Sequence, residues 1–134
     1  MKHIKKYENW NYQNQISDKI SNDIKDTITD IVKSECDLED ICYIIDFSNY
    51  NKNGIGYPAM LLYFRDKRNR FFKIKHFKET LLRIKDVCDI YNYNIDVDIP
   101  NEDETQMKFD DFLENFEYDE LFRMRIIIYK NNLK

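Results

Sequence analysis

Alanine occurs once in this chain, at Ala59, glycine and proline twice each, tryptophan once and cysteine three times. Scarce alanine beside heavy use of Ile, Asn, Lys, Asp and Tyr is the mark of an AT-rich coding sequence, and it speaks of source more than of chemistry. Long apolar runs are missing too. The longest, AMLLYF and IIIY, have strand length and fall far short of the roughly 20 residues that cross a bilayer. Positive charge at the start is not followed by an apolar stretch, so no secretory signal is expected and no membrane partner. Cys36, Cys42 and Cys88 are odd in number and widely spaced, which disfavours a disulfide framework and favours a reducing cytoplasm.

Chemical signatures are equally sparse. His3 and His76 are isolated and the cysteines form no paired ligand cluster, so neither a metal nor a cofactor is expected. Both glycines fall in NKNGIG, which lacks the Lys-Ser/Thr pair of a phosphate-binding loop. His76 has no evident partner for nucleophilic catalysis. Glu35, Asp37, Glu39 and Asp40 make an acidic junction, yet their spacing defines no acid–base pair. A non-enzymatic protein is the expectation.

What is present is a folding composition and a segregated charge. The 134 residues are 43% hydrophobic and 15% aromatic, enough for one domain that buries roughly two-thirds of its unfolded surface. The formal net charge of −4 conceals two poles. Between 65 and 85, nine basic residues are opposed only by Asp66 and Glu79, a balance of about +7. Between 96 and 120, eleven acidic residues are opposed only by Lys108, a balance of about −10.

Periodicity orders the elements. Ile16, Ile20, Ile24, Ile28, Ile31 and Val32 recur at helical spacing and predict a helix over 14–35. ICYIIDFS predicts a strand over 41–48, with NYNKNGIG as a loop. YPAMLLYFR and RFFKIKHF flank DKRN and predict a hairpin, with Phe72 and Ile74 toward the core. Pro58 is expected at a strand start or a sheet edge.

Phe77, Leu81, Ile84, Cys88 and Tyr91 predict a second helix that stops at the asparagines 92 and 94. NIDVDI reads as a strand, ended by Pro100. A third helix follows, with Asp103 and Gln106 in capping-box spacing and Phe109, Phe112, Leu113 and Phe116 as its buried stripe. LFRMRIIIY is the last strand. The expected order is α-β-β-β-α-β-α-β, one α+β domain over 1–134 with a mainly antiparallel sheet, residues 1–13 irregular and 130–134 a polar tail.

Two surfaces are candidates for binding. The acidic helix offers Asp110, Asp111, Glu114 and Glu117 to a protein partner, with electrostatically steered association. The basic hairpin over 65–78 offers Lys67, Arg68, Arg70, Lys73, Lys75 and Lys78 to a nucleic acid or another anion. Alternatively, the two poles pack against each other and neutralise internally.

Two resemblances accompany these readings. The order α-β-β-β-α over 14–92 resembles the double-stranded-RNA-binding domain. That resemblance implies phosphate contacts for Lys73, Lys75 and Lys78, although FKETLLRIKDVC lacks the family's Gly-rich approach and small helix. The start MKHIKKYENW resembles the M-K-x-x-x-x-[YF]-E starts of many small tailed-phage proteins, with Trp10 where Phe is expected. It implies a phage or mobile-element accessory factor, an inhibitor or an immunity-type protein, acting in the host cytoplasm or carried in the virion.

Overall fold

A computed structural model describes residues 14–38, 40–99 and 106–130. The phage-like start and Asp103 lie outside the described residues. The expected capping box does not form, because Gln106 is not helical, Met107–Lys108 is extended and the third helix starts only at Phe109 with Lys108 as its N-cap. Of the polar tail expected over 130–134, Lys130 instead ends the last strand, and 131–134 lie outside the described residues. Residues 14–18 are helical, and helix α1 (Asn22–Leu38) follows after a short break. The break interrupts the backbone without interrupting the stripe: Ile16, Ile20, Ile24, Ile28 and Val32 are all buried. Ser21 N–H at the break is held by the Tyr93 hydroxyl at 3.0 Å.

Strands β1 (Ile41–Lys52) and β2 (Ile55–Asp66) form the hairpin of the fold. The loop expected at 49–56 is instead a two-residue turn. Asn53 at φ 54° and Gly54 at φ 80° supply the two positive angles of a type I′ turn, and Lys52 pairs with Ile55 across it. Counting from that closing pair, Asn49 and Pro58 form a non-hydrogen-bonded pair. Pro58 also lies just outside the second ladder of β2, which runs from Ala59 to Arg65, so its missing N–H costs no sheet bond.

The hairpin expected around DKRN does not form. Strand β3 is only Phe72–Lys73, and helix α2 (Ile74–Ile90) begins directly after it. Phe72 and Ile74 face the core as expected, but Phe77, which a longer strand would turn outward, is buried by the helix. Its ring lies 5.1 Å from Phe64 and 6.4 Å from Phe72. That helical packing is what ends the strand. Asn92, at φ 60°, follows the helix as predicted.

Strand β4 (Tyr93–Asp98), strand β5 (Met107–Lys108) and helix α3 (Phe109–Phe116) come next. The last apolar run divides at Phe122 into β6 (Glu120–Leu121) and β7 (Arg123–Lys130). The fold is the expected α+β arrangement in the expected order, with the two-residue strands β5 and β6 added. The main sheet is antiparallel in the order β1-β2-β7-β4-β5, while β3 pairs with β6. Because β3 leaves the main sheet, the likeness to the double-stranded-RNA-binding domain ends at element order.

The helices cover one face of the sheet. Met60, Leu62 and Phe64 of β2, Met124, Ile126 and Ile128 of β7, and Ile95 and Val97 of β4 pack there with the stripes of α1 and α2 and with Phe109 and Phe112. Cys36 and Cys88 sit fully inside this layer, and burial pushes both thiols up to about 12, so they stay protonated as small hydrophobes. No helix among the described residues is long and apolar enough to cross a membrane.

The second face is closed at one end by the hairpin itself. Residues 55–58 run past the β2–β7 ladder, and the strand tips curl back over the sheet. Tyr50 and Lys52 of β1 thereby reach Asp96 of β4, although β2 and β7 lie between the two strands in sheet order. Tyr50, Ala59, Leu61, Ile127 and Tyr129 form a small second core beneath the curl.

Candidate functional site

The most buried polar cluster lies under that curl. Asp96, 3% exposed, accepts on one oxygen from Tyr50 Oη at 3.0 Å, Lys52 Nζ at 2.9 Å and Tyr129 Oη at 3.1 Å. Lys52 also donates to Tyr129 Oη at 2.9 Å, and Gln106 Oε1 lies 3.2 Å from Tyr50 Oη. Burial, then the Asp96 carboxylate, raises Tyr50 above the ordinary tyrosine value; burial also raises Tyr129. Bonds to Tyr129 and Asp96 outweigh burial at Lys52 and raise it as well. Each tyrosine is thus held protonated and Lys52 charged, the opposite of what a nucleophile or general base requires.

A cleft of about 400 Å³ adjoins this cluster. It is lined by Lys52, Lys85 and Lys108 and by Asp89, Asp96 and Asp110, so its walls are close to neutral. Lys52 pairs with Asp96, and Lys85 with Asp89 at 2.7 Å. The cluster is a latch that holds the hairpin tip down.

The opposite end of the second face is of another kind. Arg65 of β2 stands directly across the ladder from Arg123 of β7, and Tyr63 stands across from Arg125. Cys42, Ile44, Tyr63, Arg65 and Arg123 line a groove of about 440 Å³ there. Arg123 lies over the Phe122 ring at 5.5 Å, and Phe122 meets Phe71 edge-on at 5.6 Å. Both rings face solvent, Phe71 at 64% exposure and Phe122 at 39%.

The turn after β2 completes this corner. Asp66, only 6% exposed, accepts from the backbone N–H of Arg68 at 2.7 Å and from Arg70. The Arg68 N–H, aided by Arg70, holds the Asp66 carboxyl below the usual carboxylate range. Asn69 adopts φ 55°, and its side chain accepts from Arg65 at 3.2 Å, which joins turn to groove. One buried carboxylate therefore organises a basic turn and leaves Arg68 exposed at its tip.

The predicted basic residues are thus divided. Lys67, Arg68 and Arg70 stay at this corner, Lys67 at 3.9 Å from Asp40 and Arg70 at 3.4 Å from Asp66. Lys73 lies in β3 opposite Glu120, and Lys75 is exposed on the first turn of α2. Lys78, part-exposed on α2, is spent in an ion pair with Glu117. That pair raises Lys78 and lowers Glu117 from their ordinary values. The two poles therefore meet at one seam, through this pair and the β3–β6 ladder.

Of the acidic residues, Asp110, Asp111 and Glu114 remain exposed on α3, and Asp110 and Asp111 suit the positive end of its dipole. Glu117 is withdrawn into the pair with Lys78.

Comparison with protein-family models, characterised proteins and solved structures gives no match.

Arg65, Arg123, Phe122 and Tyr63 were not among the sequence candidates. Tyr63 and Arg65 belong to β2, while Arg123 of β7 and the adjoining Phe122 lie some 60 positions later, and only the β2–β7 ladder brings the two together. A compositional signal was nonetheless there to read. The chain has 15 lysines and only six arginines, and five of the six, at 65, 68, 70, 123 and 125, gather at this corner. The sixth, Arg83, pairs with Glu35 between the helices.

Proposed function

We propose that this chain is a binding protein and that its arginine corner receives an anionic macromolecule. The observation that carries the reading is the Arg65–Arg123 pair. Like charges directly opposite in a ladder are destabilising. None of the ion pairs among the described residues uses Arg65, Arg68 or Arg123. A repulsive pair without a counter-charge among the described residues is accounted for by an anion supplied from outside. Arginine suits that task, since its planar fork grips phosphate and carboxylate through two bonds.

Retention on immobilised heparin tests the reading. The wild type, despite its net charge of −4, should be held at low salt and released as salt rises. Arg65→Ala with Arg123→Ala should abolish retention while leaving the melting temperature unchanged or slightly higher. Arg83→Ala with Lys33→Ala, an equal loss of charge elsewhere, should leave retention intact. Equal behaviour of the two double variants would remove the corner from the account.

A second reading gives the exposed carboxylates Asp110, Asp111 and Glu114 to a basic protein partner. Its support is that none of the three is spent in an ion pair among the described residues. Their replacement by amides should slow association with such a partner, with little change in dissociation. An association rate indifferent to all three would discard it.

A further inference from the structure

We infer that the anion at the arginine corner is a single strand of nucleic acid, with phosphates on Arg65, Arg68 and Arg123 and a base stacked at the Phe71–Phe122 pair. The inference rests on the reading that this corner binds a polyanion, and it adds the class of partner. Its first support is the rings. Phe71 is 64% exposed and touches Phe122, itself exposed, so neither gains full burial from folding. A purely acidic chain such as polyglutamate would use the arginines and leave the rings without a partner. An unpaired base has a π-face of its own, and stacking on an aromatic side chain is the common way such bases are held.

The second support is how cations and rings alternate. Arg65 lines the groove beside Tyr63, Arg123 lines it and covers Phe122, and Phe122 leads to Phe71 beside the basic turn. Guanidinium and ring follow one another, as phosphate and base do along a strand. The third support is residue choice. A chain that otherwise takes lysine more than twice as often takes arginine here, and arginine stacks as well as pairs. Duplex bases are already stacked and offer the Phe71 ring no face.

The test is fluorescence anisotropy with a labelled oligothymidylate of about 12 nucleotides, a length within the range single-strand sites cover. Neutralising about three phosphates should give a log–log salt slope of roughly −2. Phe71→Ala with Phe122→Ala should weaken binding by about ten- to a hundredfold at an unchanged slope. Arg65→Ala with Arg123→Ala should flatten the slope. Phe71→Ala alone, at the more exposed position, should show the same direction should the double variant melt early.

Three outcomes overturn the inference. Polyglutamate that competes at equal charge, with the ring variants unaffected, assigns the corner to an acidic polypeptide and leaves the polyanion reading standing. A duplex bound as tightly as the strand, with the rings again irrelevant, removes the stacking. Failure of heparin, polyglutamate and oligonucleotide alike ends both readings together.

Discussion

Asp96→Ala is expected to lower the stability by about 3–5 kcal/mol, the loss of three hydrogen bonds to a charged acceptor at about 1.5 kcal/mol each. The carboxylate is 3% exposed and holds Tyr50, Lys52 and Tyr129 on a single oxygen, so its loss removes three hydrogen bonds at once. The melting temperature should fall by roughly 10–20 °C. Asp96→Asn retains an acceptor and should cost about 1–3 kcal/mol.

Alkaline pH probes the same cluster without mutation. Tyr50, Lys52 and Tyr129 all have raised pKa values in the folded chain. Above about pH 10 the unfolded chain therefore loses protons that the folded chain keeps, and stability falls by about 1.4 kcal/mol per pH unit per proton. Below that pH the contribution is fully present. In Asp96→Ala the decline should be shallower, as denaturant midpoints between pH 9 and 11 would read; an unchanged slope would dissociate the three groups from Asp96.

Phe77→Ala is the second large effect, about 3–5 kcal/mol for a deleted core ring. Phe77 is 2% exposed and touches both Phe64 of β2 and Phe72 of β3, so the cavity lies where helix, main sheet and small sheet meet. Phe71→Ala, six residues earlier, should stay within about 0.5 kcal/mol, as exposed positions do. Urea titration of the two variants separates the ring that holds the fold from the ring that faces out. A Phe71 variant as unstable as the Phe77 variant would make the corner a structural element.

Much of this fold was legible because its elements obey one period each. The stripe from Ile16 to Val32 survives a break in its helix, and the alternation from Ile95 to Val97 places that strand correctly. The misread hairpin had a local cause. A basic turn between two apolar runs looks the same whether the second run pairs with the first or becomes a helix. The decision fell to Phe77, buried by contacts with residues 13 positions earlier. NYNKNGIG was misjudged for a related reason: polar residues beside Asn-Gly belong to strands whose tips curl over the sheet. The arginine corner was half visible. Its turn lies in one stretch of sequence, but Arg123 comes to it from β7 and Phe122 from the break between β6 and β7.

The place of β7 has a consequence for synthesis. It lies at the centre of the main sheet, hydrogen-bonded to β2 on one side and β4 on the other, yet it is the last element of the described chain. Until residues 123–130 have left the ribosome, the hairpin and β4 have no common partner, and their apolar faces wait beside each other unjoined. Translation stalled short of residue 123 would release an open two-stranded ribbon with bare edges, the kind of intermediate that chaperones bind.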